Sequence, residues 1–516
     1  MNSAEVRPIP GVPQTVNALF AERVRTSPDH VLLVERGGRI TLQQMDEMVG
    51  KWASALESRG VGRGDRVAVS MPNGIPVVLS FFATLRLGAV WVGINRVYAA
   101  PEKAHIMRDS GAMIYLTTSD IAATIEPLRE TLPELNSIVD VGADLFQAEL
   151  VALPSLAPIE VSPFDLAGLA YTSGTTGQPK GAMHSHRNLI FPGVMTGRDV
   201  PPSRAGVYLP LTVLNLQVLG PLASLTNLGT TYCIDRADAE GIVEWIEEHG
   251  IDSMSAAPAT FHDIVSKDSI RAERLESLVN LGLGGSAPPE WIFDAYFKKF
   301  GKRVTTGYGL SEAPSVVTKE PLEVPRRKGS AGKPHLHLKV TIVDDAGNEL
   351  PTGEPGEVVV SAATEGEFAH CYTPMLGYWN KPEATAKSLR GDRLFTGDIG
   401  YLDEEGHLHI EDRRVDLILR GGANVYPAEI ERVLNADDRI VESAVVGKDD
   451  DRLGQLPVVF VQCLEGAHLD TETVQGLCAA ELAKYKVPVE VIFVESFPRN
   501  HMGKILRPEL RARING

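Results

Sequence analysis

The sequence predicts an α/β protein of two unequal domains, on three observations. Its 516 residues, 43% of them hydrophobic, are too many for one ordinary core and require two or more. From Leu42 to Thr117, and again from Thr230 to Phe300, helical spacings alternate with short apolar runs. That pattern predicts two α/β subdomains with parallel crossovers and sheets covered on both faces. From Ser330 to Ile410 helical periodicity gives way to short strands, punctuated by Asp344-Asp-Ala-Gly347, Gly353-Glu-Pro-Gly356 and Asp403-Glu-Glu-Gly406. The chain therefore reads as a large domain over 1–412, including a β subdomain at about 330–411, followed by a small α/β domain over 413–516.

In chain order, Leu42, Met45, Val49, Trp52, Ala53 and Leu56 recur at helical spacing behind Thr41, a natural N-cap. Strands follow at Arg66–Ser70, Val90–Ile94 and Met113–Thr117, with helices at Pro76–Leu87 and Pro101–Ser110 between them. Leu166–Thr172 reads as a strand that delivers a glycine-rich turn, and a helix is expected to start near His186 or Asn188. Past residue 413, helices are expected at Ala428–Leu434 and Thr471–Leu482 and strands at Ile440–Gly447 and Val458–Cys463.

The net charge of -17 opposes a nucleic-acid partner. Cys233, Cys371, Cys463 and Cys478 are far apart and form no metal-ligand spacing, which fits a reducing cytoplasm. Met1–Pro13 lacks the apolar core of a signal peptide, and the richest apolar run, Val77–Ile94, is broken by Arg86, so no membrane span is expected. Peripheral membrane contact and a homodimer stay compatible with these features.

The chemistry centres on Tyr171-Thr-Ser-Gly-Thr-Thr-Gly-Gln-Pro-Lys180-Gly181. Glycines leave backbone N–H groups free to face an anion, hydroxyls add donors and Lys180 adds charge, as a triphosphate requires. Gln178 and Pro179 separate the lysine from the second glycine, unlike the P-loop NTPase motif, which disfavours a simple kinase or ATPase. A Gly/Thr surface turn is the bland alternative. The His184-x-His186 pair has no third ligand near it in sequence, and shaping the exit of the loop is the better reading.

This stretch resembles the signature of the adenylate-forming superfamily of acyl- and aryl-CoA synthetases, peptide-synthetase adenylation domains and firefly luciferase, and further motifs follow in the family's order. The resemblance implies that Thr172, Ser173, Gly174, Thr175, Thr176, Gly177 and Lys180 grip the pyrophosphate end of ATP. In Gly282-Leu-Gly-Gly-Ser-Ala-Pro-Pro289 it implies backbone contacts to adenine from Gly285, Ser286 and Ala287, where a structural turn is the alternative. In Thr305-Thr-Gly-Tyr-Gly-Leu-Ser-Glu312 it implies stacking by Tyr308, close backbone approach at Gly307, nucleotide contacts at Gly309 and Ser311, and Mg2+ held by Glu312. Asp398 of Thr396-Gly-Asp398 and Arg413 match the ribose contacts, Gly421 and Gly422 the path of coenzyme A, and Lys504 of Pro498-Arg-Asn-His-Met-Gly-Lys504 the terminal catalytic lysine. That motif also resembles the site at which bacteria acetylate such ligases.

Three departures stand out. Thr212 and Val213 replace the family's aromatic residue and His after Leu-Pro, Asp412 replaces a glycine, and Val415 occupies the usual hinge position. Asn215 and Gln217 read equally well as substrate contacts and as satisfied core polar groups. The implied activity joins a carboxylic acid to coenzyme A through an acyl-adenylate, releasing AMP and pyrophosphate, with a mobile C-terminal lid. Delivery to a carrier protein is the second reading, and a nucleotide-binding homologue without catalysis the third. Specificity is expected around Val213, Ala257, Leu283 and Gly309, with aryl, medium-chain, long-chain and polycyclic acids all open.

Overall fold

The protein is seen here as a computed structural model, which describes residues 6–98, 100–172, 179–197, 201–283, 290–313, 316–321, 324–413, 418–420, 423–425, 427–450, 453–482, 484–500 and 503–515. Its predicted elements form close to the expected bounds. The helix Leu42–Glu57 starts at a capping box: the Thr41 hydroxyl accepts from Gln44 N–H and the Gln44 side chain accepts from Thr41 N–H. It buries Leu42, Met45, Val49, Trp52 and Leu56 against the helix Ile75–Arg86, which is buried at every position but Pro76.

Two large sheets carry the N-terminal part. In the first, among the described residues, the order runs Gly377–Tyr378, Lys180–Ser185, Leu166–Thr172, Val90–Gly93, Arg66–Ser70, Ile114–Thr117 and Ser137–Asp140. The strands from Leu166–Thr172 to Ser137–Asp140 are parallel, as alternation with helices requires. In the second sheet, Thr305–Tyr308, Asn280–Leu283, Ser253–Ala256, Arg204–Val207, Thr230–Cys233 and Val31–Glu35 are parallel. The helices Ala239–His249, Pro258–Ser266 and Glu290–Phe300 cover one face of it around Ile242, Trp245, Phe261 and Tyr296.

The helix begins at His186, as expected, and a strand that the sequence reading did not include comes before it: Lys180–Ser185 pairs antiparallel with Leu166–Thr172, with Thr172 opposite Lys180 and Tyr171 opposite Gly181. Backbone pairing along both strands sets Thr172 and Lys180, which flank the glycine-rich stretch in sequence, opposite one another.

The β region is an antiparallel sheet of Leu338–Val343, Gly356–Ala362, Arg393–Leu402, Leu389–Arg390 and Leu408–Arg413. A small C-terminal domain follows, with Ile440–Asp450 and Gly454–Cys463 as its long hairpin and its own apolar clusters around Ile430, Val459, Val474 and Phe460. Among the described residues no helix is long and apolar enough to cross a membrane.

Candidate active site

The C-terminal ends of the parallel strands in both sheets bring most of the described candidate residues together. The phosphate strand is anchored from behind. Tyr171 donates its hydroxyl to Asp109 Oδ2 at 2.8 Å, Lys381 Nζ lies 3.2 Å from Asp109 Oδ1, and Trp379 Nε1 donates to the Asp109 carbonyl at 3.0 Å. Burial, reinforced by Asp109, pushes the Tyr171 phenol up and keeps it a neutral donor. At the front, Lys180 Nζ sits 5.4 Å from the centroid of the Tyr378 ring, and the Tyr378 hydroxyl donates to Glu312 Oε1 at 2.8 Å. Lys180, at the start of a strand of the first sheet, and Glu312, on the turn after Thr305–Tyr308 of the second, meet on this one tyrosine. Sequence reading missed Tyr378, because a two-residue strand has no periodicity and its partner Glu312 is 66 residues away.

On the nucleoside side, the Tyr308 hydroxyl donates to Asp398 Oδ2 at 2.5 Å, and Asp398 is only 4% exposed. Thr318 Oγ1 accepts from Tyr308 N–H at 3.2 Å, and Gly307 approaches Thr318 so closely that a Cβ would stand 2.5 Å from its carbonyl oxygen. Asp398 pairs with Arg413 across adjacent strands, so the two ribose candidates share one register position. Gly309 is exposed and Ser311 half-buried on the turn before Glu312. Ser173, Gly174, Thr175, Thr176, Gly177, Gly285, Ser286, Ala287, Val415, Gly421 and Gly422 lie outside the described residues.

Glu312 fits a hard cation of the magnesium type. Its carboxylate supplies oxygen donors, and among the described residues there is no group of three or more His, Cys, Asp or Glu able to enclose a metal. A cation here would take one carboxylate together with phosphate oxygens and water, which suits Mg2+. His184 and His186 are fully buried, and burial holds each down to about 4, so both are neutral groups inside the fold.

The residues expected to line the acyl pocket include the loop at Thr212 and Val213, which follows a strand of the second sheet and packs against the first. Asn73 Oδ1 accepts from Leu211 N–H at 2.8 Å and its Nδ2 donates to the Leu209 carbonyl at 2.9 Å, clamping the loop that carries Thr212 and Val213. That loop presses on the end of Val90–Gly93, where a Cβ on Gly93 would stand 1.9 Å from the Thr212 carbonyl oxygen. Val213 is half-buried and precedes the helical stretch Leu214–Gln217, while Ala257 donates its N–H to the Tyr208 hydroxyl at 2.8 Å. Gln217 Nε2 donates to the Leu211 carbonyl at 2.9 Å, a structural use of that amide. Leu283 ends its strand with its side chain buried in the helix-covered core cluster that also holds Tyr208.

Strand alternation then clears a groove. Met254 points into the helix-covered core, so Ser253 and Ser255 point to the opposite face of the sheet, where Ser255 is exposed and Ala205, Ser253 and Gly282 are half-buried. Leu209, Leu216, Leu219 and Gly220 stand beside this floor around a cavity of about 60 Å3.

Lys504 belongs to the small domain. It closes a hairpin in which Arg499 pairs with Ile505, Asn500 N–H donates to the Lys504 carbonyl, and Lys504 N–H donates to Asn500 Oδ1, both at 2.9 Å. Arg499 also binds Glu442 on the strand Ile440–Asp450, tying the hairpin to the domain's main sheet.

Comparison with known proteins accords with this arrangement. Residues 20–379 match the model of the AMP-binding enzyme family, and residues 429–504 that of the AMP-binding enzyme C-terminal domain. The chain is 33% identical to a feruloyl-CoA synthase of Amycolatopsis sp over 503 residues, covering 95% of this chain and 97% of that protein. It is 32% identical to a 2-succinylbenzoate–CoA ligase of Geobacillus sp. (strain WCH70), covering 96% of each. Among solved structures, ATP-bound MatB from Rhodopseudomonas palustris superposes with a TM-score of 0.89 at 27% identity, covering 97% of this chain and 99% of that one. With both matched regions in the order the motifs predict, and relatives aligned along nearly their whole length, the chain belongs to the AMP-binding enzyme family.

Proposed function

We propose that the acid activated by this AMP-forming acid–CoA ligase is a monocarboxylic acid with a slim, uncharged tail, laid along the groove between Ser255 and Leu216. The observation that carries this reading is the lining: Ala205, Val207, Leu209, Leu216, Leu219, Met254 and the two serines include no basic residue. A second carboxylate placed there would be desolvated with no cation to pair it, at a cost of several kcal/mol. The cavity of about 60 Å3 is open to solvent and encloses only a few atoms of a tail at a time, so a slim chain running on along the groove suits it better than a fused ring system. Leucines on the wall suit methylenes, and Ser253 and Ser255 on the floor suit a tail that also carries a hydroxyl or keto oxygen.

ATP and coenzyme A are the co-substrates, and the remaining assignments belong to the same proposal. Thr172, Lys180 and the glycine-rich turn grip the pyrophosphate end, Glu312 holds Mg2+, Tyr308 stacks on adenine, and Asp398 with Arg413 holds the ribose. Lys504 offsets charge at the α-phosphate, and the boundary between the large domain and a mobile lid falls at 412/413. Homologue names support coenzyme A as acceptor over a carrier protein.

The test is AMP release, dependent on coenzyme A, across three acid panels: linear monocarboxylic acids, dicarboxylic acids of matched length, and fused-ring acids. Preference for the first by tenfold or more in kcat/KM supports the reading. Preference for dicarboxylic or fused-ring acids refutes it.

A further inference from the structure

We infer that Tyr378 is a positioning residue for adenylate formation, which sets the carboxylate of Glu312 and the ammonium of Lys180 relative to one another; the inference rests on the reading of Glu312 as the metal-side carboxylate. Three observations place the ring. Gly377 and Tyr378 pair with Met183 and Ala182 in antiparallel register, and the flanking Leu376 and Trp379 N–H groups donate to the Met183 and Gly181 carbonyls, both at 2.8 Å. This short strand is thus fastened directly to the strand that begins at Lys180.

Behind it, Thr385 Oγ1 accepts from Tyr378 N–H at 2.8 Å, and Gly377 adopts φ +134°, where a Cβ would meet Thr385 Cγ2 at 2.8 Å. Only glycine fits there, and the close packing fixes the direction in which Tyr378 leaves the strand. From the other side, Met375 N–H donates to the Glu312 carbonyl at 3.0 Å, so the segment 375–379 is tied to Glu312 through its backbone as well as through the phenol.

A phenol suits this task better than a cation. Its O–H orients Glu312 by occupying Oε1 without adding a positive charge that would compete with a hard cation for the carboxylate. The same ring offers its face to Lys180 at 5.4 Å, an electrostatic seat that restrains the ammonium without pairing its charge. A carboxylate paired to the lysine would compete with the phosphate, whereas an aromatic face does not. Tyr378 therefore works through Glu312 and Lys180, with no part in bond making.

The experiment compares Tyr378→Phe, which keeps the ring and removes the hydroxyl, with Tyr378→Leu, which removes both, and uses Glu312→Gln as reference. The readouts are Mn2+ affinity by electron paramagnetic resonance in the presence of α,β-methylene-ATP, and pyrophosphate affinity by calorimetry without metal. Loss of an outer-shell partner typically lowers metal affinity by about 10- to 100-fold. Tyr378→Phe should weaken Mn2+ binding by about tenfold and leave pyrophosphate affinity unchanged; Tyr378→Leu should weaken both. Thermal unfolding at the wild-type midpoint identifies variants that fold normally, and Tyr378→Phe, which deletes one oxygen, keeps the test alive if the leucine variant does not fold. If Glu312→Gln weakens Mn2+ binding while Tyr378→Phe leaves it unchanged, the role of Tyr378 is refuted and the role of Glu312 stands. If Glu312→Gln leaves Mn2+ affinity unchanged, the metal reading of Glu312 falls and the inference falls with it.

Discussion

With the acid laid along the groove as proposed, filling that groove at Ser255 should erase discrimination between long and short acids. From Ala257 to Ser253 the strand advances about 13 Å at ~3.3 Å per residue, and from Val213 to Gly220 the helical wall advances about 10 Å at ~1.5 Å per residue. An extended chain covers roughly 1.1–1.2 Å per bond, so the groove accepts a tail of about ten bonds. A fully buried methylene contributes about 0.8 kcal/mol and one lying in an open groove about half of that, so kcat/KM should climb about two- to fourfold per carbon until the groove is full. Ser255 is exposed and lies on the sheet face opposite the helix-packed core, so Ser255→Trp obstructs the groove without entering that core. It blocks the path about halfway and removes some five methylenes from contact, a loss of about 2–4 kcal/mol, or roughly 30- to 900-fold, for the longest acids only. Steady-state kinetics over a series of linear acids would measure it. A flat wild-type series, or a variant that loses activity equally at every length, would refute the placement of the tail.

Three further outcomes follow from the same geometry. Asn73→Ala should raise KM for the acid by about tenfold while leaving KM for ATP near its wild-type value, because Asn73 holds Leu209 and Leu211 and a buried hydrogen-bonding side chain is worth about 1–1.5 kcal/mol; equal rises for both substrates would count against the clamp. Stability should fall on acidification: burial holds His184, His186 and His335 to about 4 and His337 to about 3, while the unfolded chain protonates near ~6.5. The unfolded state then binds more protons, so these groups contribute fully above about pH 6.5 and lose up to ~1.4 kcal/mol each per pH unit as pH falls toward 4; urea unfolding from pH 7 to 4.5 should show this, with a shallower slope in His337→Phe. Lys504→Ala should slow adenylate formation by roughly 10²- to 10³-fold yet still make thioester from synthetic acyl-adenylate, and Gly422→Trp should do the reverse, measured as separate half-reactions by rapid quench; equal slowing of both steps would refute a division of labour between domains.

What the sequence reveals divides along the range of the interactions. The helix Leu42–Glu57 was legible because its apolar spacing and its cap are local, and the parallel strands because each short apolar run is bounded by turns. The strand at Lys180 was hidden: Lys-Gly-Ala-Met-His-Ser is short and weakly alternating, and only its pairing with Leu166–Thr172 makes it a strand. Leu283 illustrates a second limit. Its place at a strand end was readable, but which face of that strand meets the helices depends on Ile264, Phe293 and the rest of a cluster spread over many elements. Tyr378 and Asp109 escaped for the same reason, since each acquires its role from a partner more than sixty residues away.

The pairing of Asp398 with Arg413 bears on how one nucleotide could serve two half-reactions. Both residues sit in the antiparallel sheet of the large domain, and Arg413 is the last residue of its strand. Asp398 has supports within the large domain: its N–H donates to Thr396 Oγ1 at 3.1 Å, its carboxylate accepts from Tyr308, and Gly397 N–H donates to Glu357 Oε1 at 3.0 Å. A pivot placed after residue 413 would therefore leave the carboxylate and its supports undisturbed while carrying Lys504, on its hairpin against Ile440–Asp450, with the small domain. Were the pivot earlier, inside Leu408–Arg413, each swing would have to break the ladder joining that strand to Arg393–Leu402 and release the ribose side of the site. In the proposed reading, a pivot directly after Arg413, one residue past the expected boundary at 412/413, keeps the adenylate fixed while the catalytic lysine leaves it.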